Sequence, residues 1–135
     1  MIRVDNVSKS FTLHNQGGAV IEVMRGASFE VASGDCVALT GVSGAGKSTL
    51  MRMIYGNYLA ASGHIWVGET DVARGSPREI LALRRETLGY VSQFLRVVPR
   101  VPTREVVAEP LLAVGTDRAR ALARSEERLT RLNIT

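Results

Sequence analysis

The residues Gly41-Val42-Ser43-Gly44-Ala45-Gly46-Lys47-Ser48 fit the pattern G-x-x-x-x-G-K-[ST] and constrain the fold of this 135-residue chain more than any other feature. A loop that wraps a polyphosphate must turn backbone N–H groups inward, through dihedral angles open mainly to glycine. A helix starting at the end of the loop adds its own N–H groups and its dipole to the attraction for anionic oxygens. Lys47 can then reach the outer phosphates, and the Ser48 hydroxyl can take Mg²⁺. With this composition the bare pattern arises by chance roughly once in a few hundred such chains.

The flanking sequence supplies the matching context. Cys36-Val37-Ala38-Leu39-Thr40 is short and almost wholly apolar, which predicts a strand covered on both faces. After the loop, a helix beginning near Lys47 places Leu50, Met53, Ile54 and Asn57-Tyr58 on one side. Upstream, Ile2 to Val7 and Val20 to Val31 alternate apolar and polar residues, the pattern of neighbouring antiparallel strands. His64 to Gly68 predicts a short strand, with Trp66 in a subdomain core. Ser76-Pro77 marks an N-cap and first helical position for a helix ending near Glu86. Leu88 to Gln93 returns to strand. Thr103 is the expected N-cap of a helix that Pro110 should kink or interrupt. Asp117 to Leu132 reads as an amphipathic helix with Ala121, Leu122, Leu129 and Leu132 inward.

Composition narrows the class further. The apolar fraction, 45%, is that of a globular protein. No apolar run approaches the length of a membrane span, and the N-terminus lacks the charged and apolar blocks of a secretory signal. The single Cys36 cannot form an internal disulfide, so a cytoplasmic setting and a packing role are expected for it.

Of the 17 basic residues only Lys9 and Lys47 are lysine, so a compact ammonium stands where the loop needs a point charge. Seven arginines between Arg74 and Arg104 face only Glu79 and Glu86. Such a stretch can face solvent, an acidic partner or a phosphate-rich ligand. No zinc-finger spacing, RNA-binding aromatic motif or heptad-linked basic region accompanies it, which argues against nucleic acid. His14 and His64 stand far from any Cys/His cluster, and no catalytic constellation emerges from the residues alone.

With the loop in place, the chain resembles the ABC (ATP-binding-cassette) ATPases. Val7-Ser8-Lys9-Ser10-Phe11 looks like the family's first strand, and Leu83-Arg84-Arg85 followed by Leu88-Gly89-Tyr90-Val91-Ser92-Gln93 like the strand leading to its Q-loop. Pro99 and Glu105 sit where that region carries Pro and Glu. The resemblance implies an α/β P-loop NTPase fold of ABC type, a mixed sheet with an antiparallel β subdomain. It implies one domain over residues 1–135, with the phosphate loop at 41–49 and a helical subdomain starting at 103–135 and truncated before its end. ATP and Mg²⁺ are the implied cofactors. Phe11 would stack on adenine and Val23 would lie under the base. Gly41, Val42, Ser43, Gly44, Ala45, Gly46, Lys47, Ser48 and Thr49 would hold the phosphates, and Ser48 and Gln93 would meet Mg²⁺.

A narrower resemblance, to the PhnL family of ABC-type subunits in bacterial carbon–phosphorus lyase systems, rests on four segments. These are Ser8 to His14, Tyr55 to Leu59, Ser92 to Arg100, and Glu105-Val106-Val107 with Pro110-Leu111-Leu112. It implies support of phosphonate breakdown beside subunits of the PhnG, PhnH and PhnI type, and a homodimer at full length. The main alternative is a transporter's nucleotide-binding subunit, such as one serving lipoprotein or peptide export; a non-hydrolytic nucleotide-binding scaffold is another. A small P-loop kinase would place the loop on its first strand, whereas two strands precede it here. The family also uses a Ser-Gly-Gly loop, an apolar strand ending in Asp-Glu and a histidine beyond the Q-loop, none of which occurs in these residues. The resemblance places them after Thr135, so the chain is expected to bind ATP but not to hydrolyse it alone.

Overall fold

A computed structural model describes residues 1–93 and 99–134, the side chain of Gln16 excepted. It divides into two compact units, Met1–Leu83 and Arg84–Thr135.

The first unit is built on an antiparallel sheet of β1 (Ile2–Leu13), β2 (Ala19–Val31), β3 (Ser62–Val67) and β4 (Thr70–Asp71), in the order β2-β1-β3-β4. β1 pairs with β2 from Ile2↔Val31 to Leu13↔Ala19, and with β3 through Arg3↔Trp66 and Val4↔Ile65. Val4, Ile65 and Val67 are buried on one face, and the register shift after Val4 brings Val7, three residues on, into the core as well; in β2 the expected alternation buries no residue fully, and Val20 and Ile21 are exposed. Against β3 lies α1 (Lys47–Ile54), which buries Leu50, Met53 and Ile54. Fully burying side chains of this size is worth about 1.5–3 kcal/mol each. α1 ends earlier than the sequence pattern suggests, with Tyr55 as its C-cap, and Asn57 and Tyr58 follow in the turn.

The register of β1 shifts between Asp5 and Ser8, where Asn6 takes a positive φ of 48° and its N–H donates to Ser28 Oγ at 2.9 Å. Gly63 of β3 crosses this bulge. A Cβ at Gly63 would run into the carbonyl oxygens of Asp5 and Asn6, and its φ of 85° disfavours any side chain. Only glycine permits that approach.

Trp66 departs from the expected core position. It shares the opposite face of β3 with His64, is only partly buried, and has Arg3 5.7 Å from its ring centroid. Strand alternation dictates this, because Ile65 and Val67 take the buried face. On the same side His64 Nδ1 lies 2.7 Å from Asp71 Oδ2.

Two expected strands are not strands here. Residues 36–40 and 88–93 form no ladder, and Val37 and Val91 are 51% and 96% exposed. A strand exists only as part of a ladder, and among the described residues neither segment enters the four-stranded sheet. Cys36 is therefore exposed rather than packed.

α2 (Pro77–Glu86) begins as the sequence predicts. The Ser76 N–H donates to Glu79 Oε2 at 2.7 Å while the Glu79 N–H donates to Ser76 Oγ at 3.3 Å, a reciprocal capping box. The second unit holds α3 (Thr103–Ala113) and α4 (Arg118–Arg131), packed on each other. Pro102, not Thr103, is the N-cap of α3, and the helix runs through Pro110 without a break. Asp117 caps α4 by accepting from the Arg120 N–H. The buried residues between these helices are Ala108, Ala121 and Ser125, whereas Leu132 is 68% exposed. Ser125 fits because its hydroxyl donates to the Arg104 carbonyl at 2.7 Å. Among the described residues no helix is long and apolar enough to cross a membrane.

Candidate functional site

Three glycines shape the loop ahead of α1: Gly41, Gly44 and Gly46 all have positive φ, at 144°, 83° and 85°. Gly46 is the N-cap of α1 and is buried, its carbonyl accepting from the Leu50 N–H at 2.9 Å. A Cβ there would stand 2.9 Å from the Val23 carbonyl oxygen and 3.1 Å from Val23 Cγ1, with Met24 Cε at 3.7 Å. The backbone of β2 thus lies directly against the last turn of the loop.

Lys47 closes the loop on itself. Its ammonium donates to the carbonyls of Gly41 and Val42, both at 2.8 Å. The Ala45 N–H donates to the Val42 carbonyl at 3.2 Å, a tight turn within the same segment. Leu50 anchors the buried side of α1, which leaves Ser48 exposed and Thr49 half-buried at its start. The first turn of α1 contains no acidic residue, so nothing on the helix itself offsets its positive end. An ammonium, a hydroxyl and a helix N-terminus converge at a glycine-rich turn, and this donor set fits phosphate oxygens with an accompanying Mg²⁺.

The other sequence-derived residues divide. Val23 is brought to the loop at Gly46. Phe11 is half-buried on β1 opposite Ile21, its ring 5.5 Å from that of Tyr58 and 4.9 Å from Lys9 Nζ. Gln93 stands in the second unit, exposed in a bend. Residues 94–98, within the run used for the narrower resemblance and including Arg96, lie outside the described residues. Sequence reasoning missed Lys9, Met24, Arg52 and Tyr58. The one available signal was Lys9, a second lysine in a chain otherwise using arginine.

Hydrogen bonding to Arg25 holds the Glu22 carboxyl below its ordinary range, and the two hydrogen bonds from Ser76 do the same for Glu79. Among the described residues no group of three or more His, Cys, Asp or Glu side chains is placed to hold a metal ion.

Comparison with known proteins agrees with this geometry. Residues 24–135 match the family model described as ABC transporter. The lipoprotein-releasing system ATP-binding protein LolD of Novosphingobium aromaticivorans is 40% identical over 134 residues, 99% of this chain and 58% of that protein. LolD 1 of Rhodospirillum rubrum is 34% identical with the same coverage. The macrolide export ATP-binding/permease protein MacB of Brucella abortus is 32% identical over 134 residues, 99% of this chain and 20% of that protein. Among solved structures, the dimeric post-hydrolysis state of the ATP-binding cassette MJ0796, bound to ADP and Pi, superposes with a TM-score of 0.86. At 23% identity, covering 96% of this chain and 56% of that one, it bears on the fold alone. The chain spans 58% of the length of the LolD proteins it matches. None of these relatives is a carbon–phosphorus lyase subunit, so the narrower PhnL resemblance drawn from the sequence has no support among them.

Proposed function

The chain belongs to the ABC transporter family, and on that premise we propose that it binds MgATP as part of the nucleotide-binding subunit of a transporter. The observation that carries this reading is the Lys47 ammonium folded onto the Gly41 and Val42 carbonyls at the start of α1. That ammonium is held at the loop, ready to exchange two neutral acceptors for charged phosphate oxygens, which bind it more strongly. Residues 41–49 take the phosphates, Ser48 and Gln93 serve Mg²⁺, Phe11 stacks on the base and Val23 supports the loop beside it. Bound Mg²⁺ supplies charge neutralisation at the phosphates.

The transporter role is favoured over phosphonate breakdown by the names of the relatives, two LolD proteins and an ATP-binding/permease protein. The partners that follow are a second cassette and a membrane permease, and the site of action is the cytoplasmic face of a membrane. The phosphonate reading, with PhnG-, PhnH- and PhnI-type partners, rests on short segments of residue resemblance. Co-purification of the chain with a candidate permease or with those subunits discriminates the two. Turnover needs an Asp-Glu strand and a Ser-Gly-Gly loop that these 135 residues do not contain, so the chain alone binds without hydrolysing.

The test is a titration with a fluorescent ATP analogue and Mg²⁺. Saturable binding is expected, weakened about tenfold or more in Lys47→Ala, the scale of a charged hydrogen bond lost. Unchanged affinity in Lys47→Ala would sink the reading.

A further inference from the structure

The contact between Tyr58 and Phe11 carries an inference that rests on the base-stacking role of Phe11 proposed above. The two rings meet at 5.5 Å between centroids and 78° between planes, an edge-on pair. Tyr58 is itself held, because Arg52 Nη1 donates to its hydroxyl at 3.0 Å and the guanidinium lies 5.7 Å from its ring centroid. Lys9, two residues before Phe11 on β1, reaches across to donate to the Leu59 carbonyl at 2.7 Å, with its ammonium 4.9 Å from the Phe11 centroid. The turn after α1 is therefore fastened to the β1 residue assigned to the base.

Arg52 stands in the last turn of α1, and Lys47 is the first residue of the same helix. One eight-residue helix presents the phosphate-binding ammonium at one end and, through Arg52 and Tyr58, steadies the aromatic ring from the other. We propose that Tyr58 is a positioning residue: held by Arg52, it fixes the plane of the Phe11 ring for an adenine base, with Lys9 closing the same contact from β1. A ring whose rotamer is already set loses less freedom when the base stacks on it, and binding tightens accordingly. The effect belongs to ligands that carry a base and not to phosphate alone.

Binding of ATP and of inorganic tripolyphosphate to the whole chain therefore separates the possibilities. Tyr58→Ala is expected to weaken ATP about 3- to 10-fold, the range of an aromatic pair, and to leave tripolyphosphate unchanged. Tyr58→Phe, which keeps the ring but loses the hydroxyl that Arg52 holds, should give an ATP affinity between those of the parent and Tyr58→Ala. Unchanged tripolyphosphate binding also reports that the variant has folded. If Phe11→Ala weakens ATP while Tyr58→Ala does not, the positioning role is wrong and the base assignment survives. If Tyr58→Ala weakens both ligands equally, Tyr58 is only structural and the proposal falls. If Phe11→Ala leaves the ratio of the two affinities unchanged, the base assignment itself fails and the proposal goes with it.

Discussion

The carbonyl oxygen of Val23 lies 2.9 Å from the point where a Cβ would sit on Gly46, so β2 and the phosphate loop touch backbone to backbone. Because the neighbour is a main-chain oxygen rather than the end of a flexible side chain, either the loop or β2 must shift to admit a Cβ. Gly46→Ala adds a left-handed backbone, φ 85°, to that collision. The substitution is expected to destabilise the first unit by about 1–3 kcal/mol and to weaken ATP binding more than tenfold, since the loop must move off β2. Thermal melting and nucleotide titration check both; a variant matching the parent in melting and affinity would show that the loop tolerates displacement.

The capping box of α2 sets a pH-dependent term. The two hydrogen bonds from Ser76 depress the Glu79 carboxyl in the folded chain. A depressed carboxyl contributes stability above its unfolded pKa and loses it as pH falls through the folded value. Stability should therefore decline on acidification through the carboxylate range, and Glu79→Gln should flatten that decline. Ser76→Ala is expected to lower stability by about 1 kcal/mol at neutral pH, as for other N-caps. Melting curves at several pH values measure both effects.

In the second unit, Ser125 is buried at 2% exposure and donates to the Arg104 carbonyl. Ser125→Ala keeps the volume but leaves that carbonyl without this donor. A loss of about 1 kcal/mol is expected, read by urea denaturation. Ser125→Leu should lose more, because the close α3–α4 contact has no room for it. A stabilised Leu variant would contradict this account.

Cys36 is exposed, and a thiol reagent is expected to label it in the folded chain at a rate close to that of the unfolded one. Protection by ten-fold or more would place the 36–40 segment in the covered strand that its composition suggests.

The glycine-rich turn, the Ser76 N-cap and the antiparallel pairing of the first strands were legible because each is written in residues a few positions apart. Local dihedral preference and periodicity decide such features before any long-range contact forms. Cys36–Thr40 and Leu88–Gln93 show the limit of that reading. Their composition specifies strands, yet a ladder needs a neighbour, and composition does not say where that neighbour lies. Trp66 was expected in a subdomain core, but its place between Ile65 and Val67 in β3 puts it on the other face.

By itself the sequence determined that a glycine-rich turn of the pattern G-x-x-x-x-G-K-[ST] stands between a β-rich region and a helix that begins at Lys47. The tertiary structure alone decided which residues surround that turn. Val23 meets Gly46 because the register of β2 and the path into α1 bring them together. Tyr58 meets Phe11 across 47 positions of sequence because α1 packs on β3 and returns the chain to β1. Such pairs arise from closing long loops around a shared core, and no local periodicity or propensity encodes them.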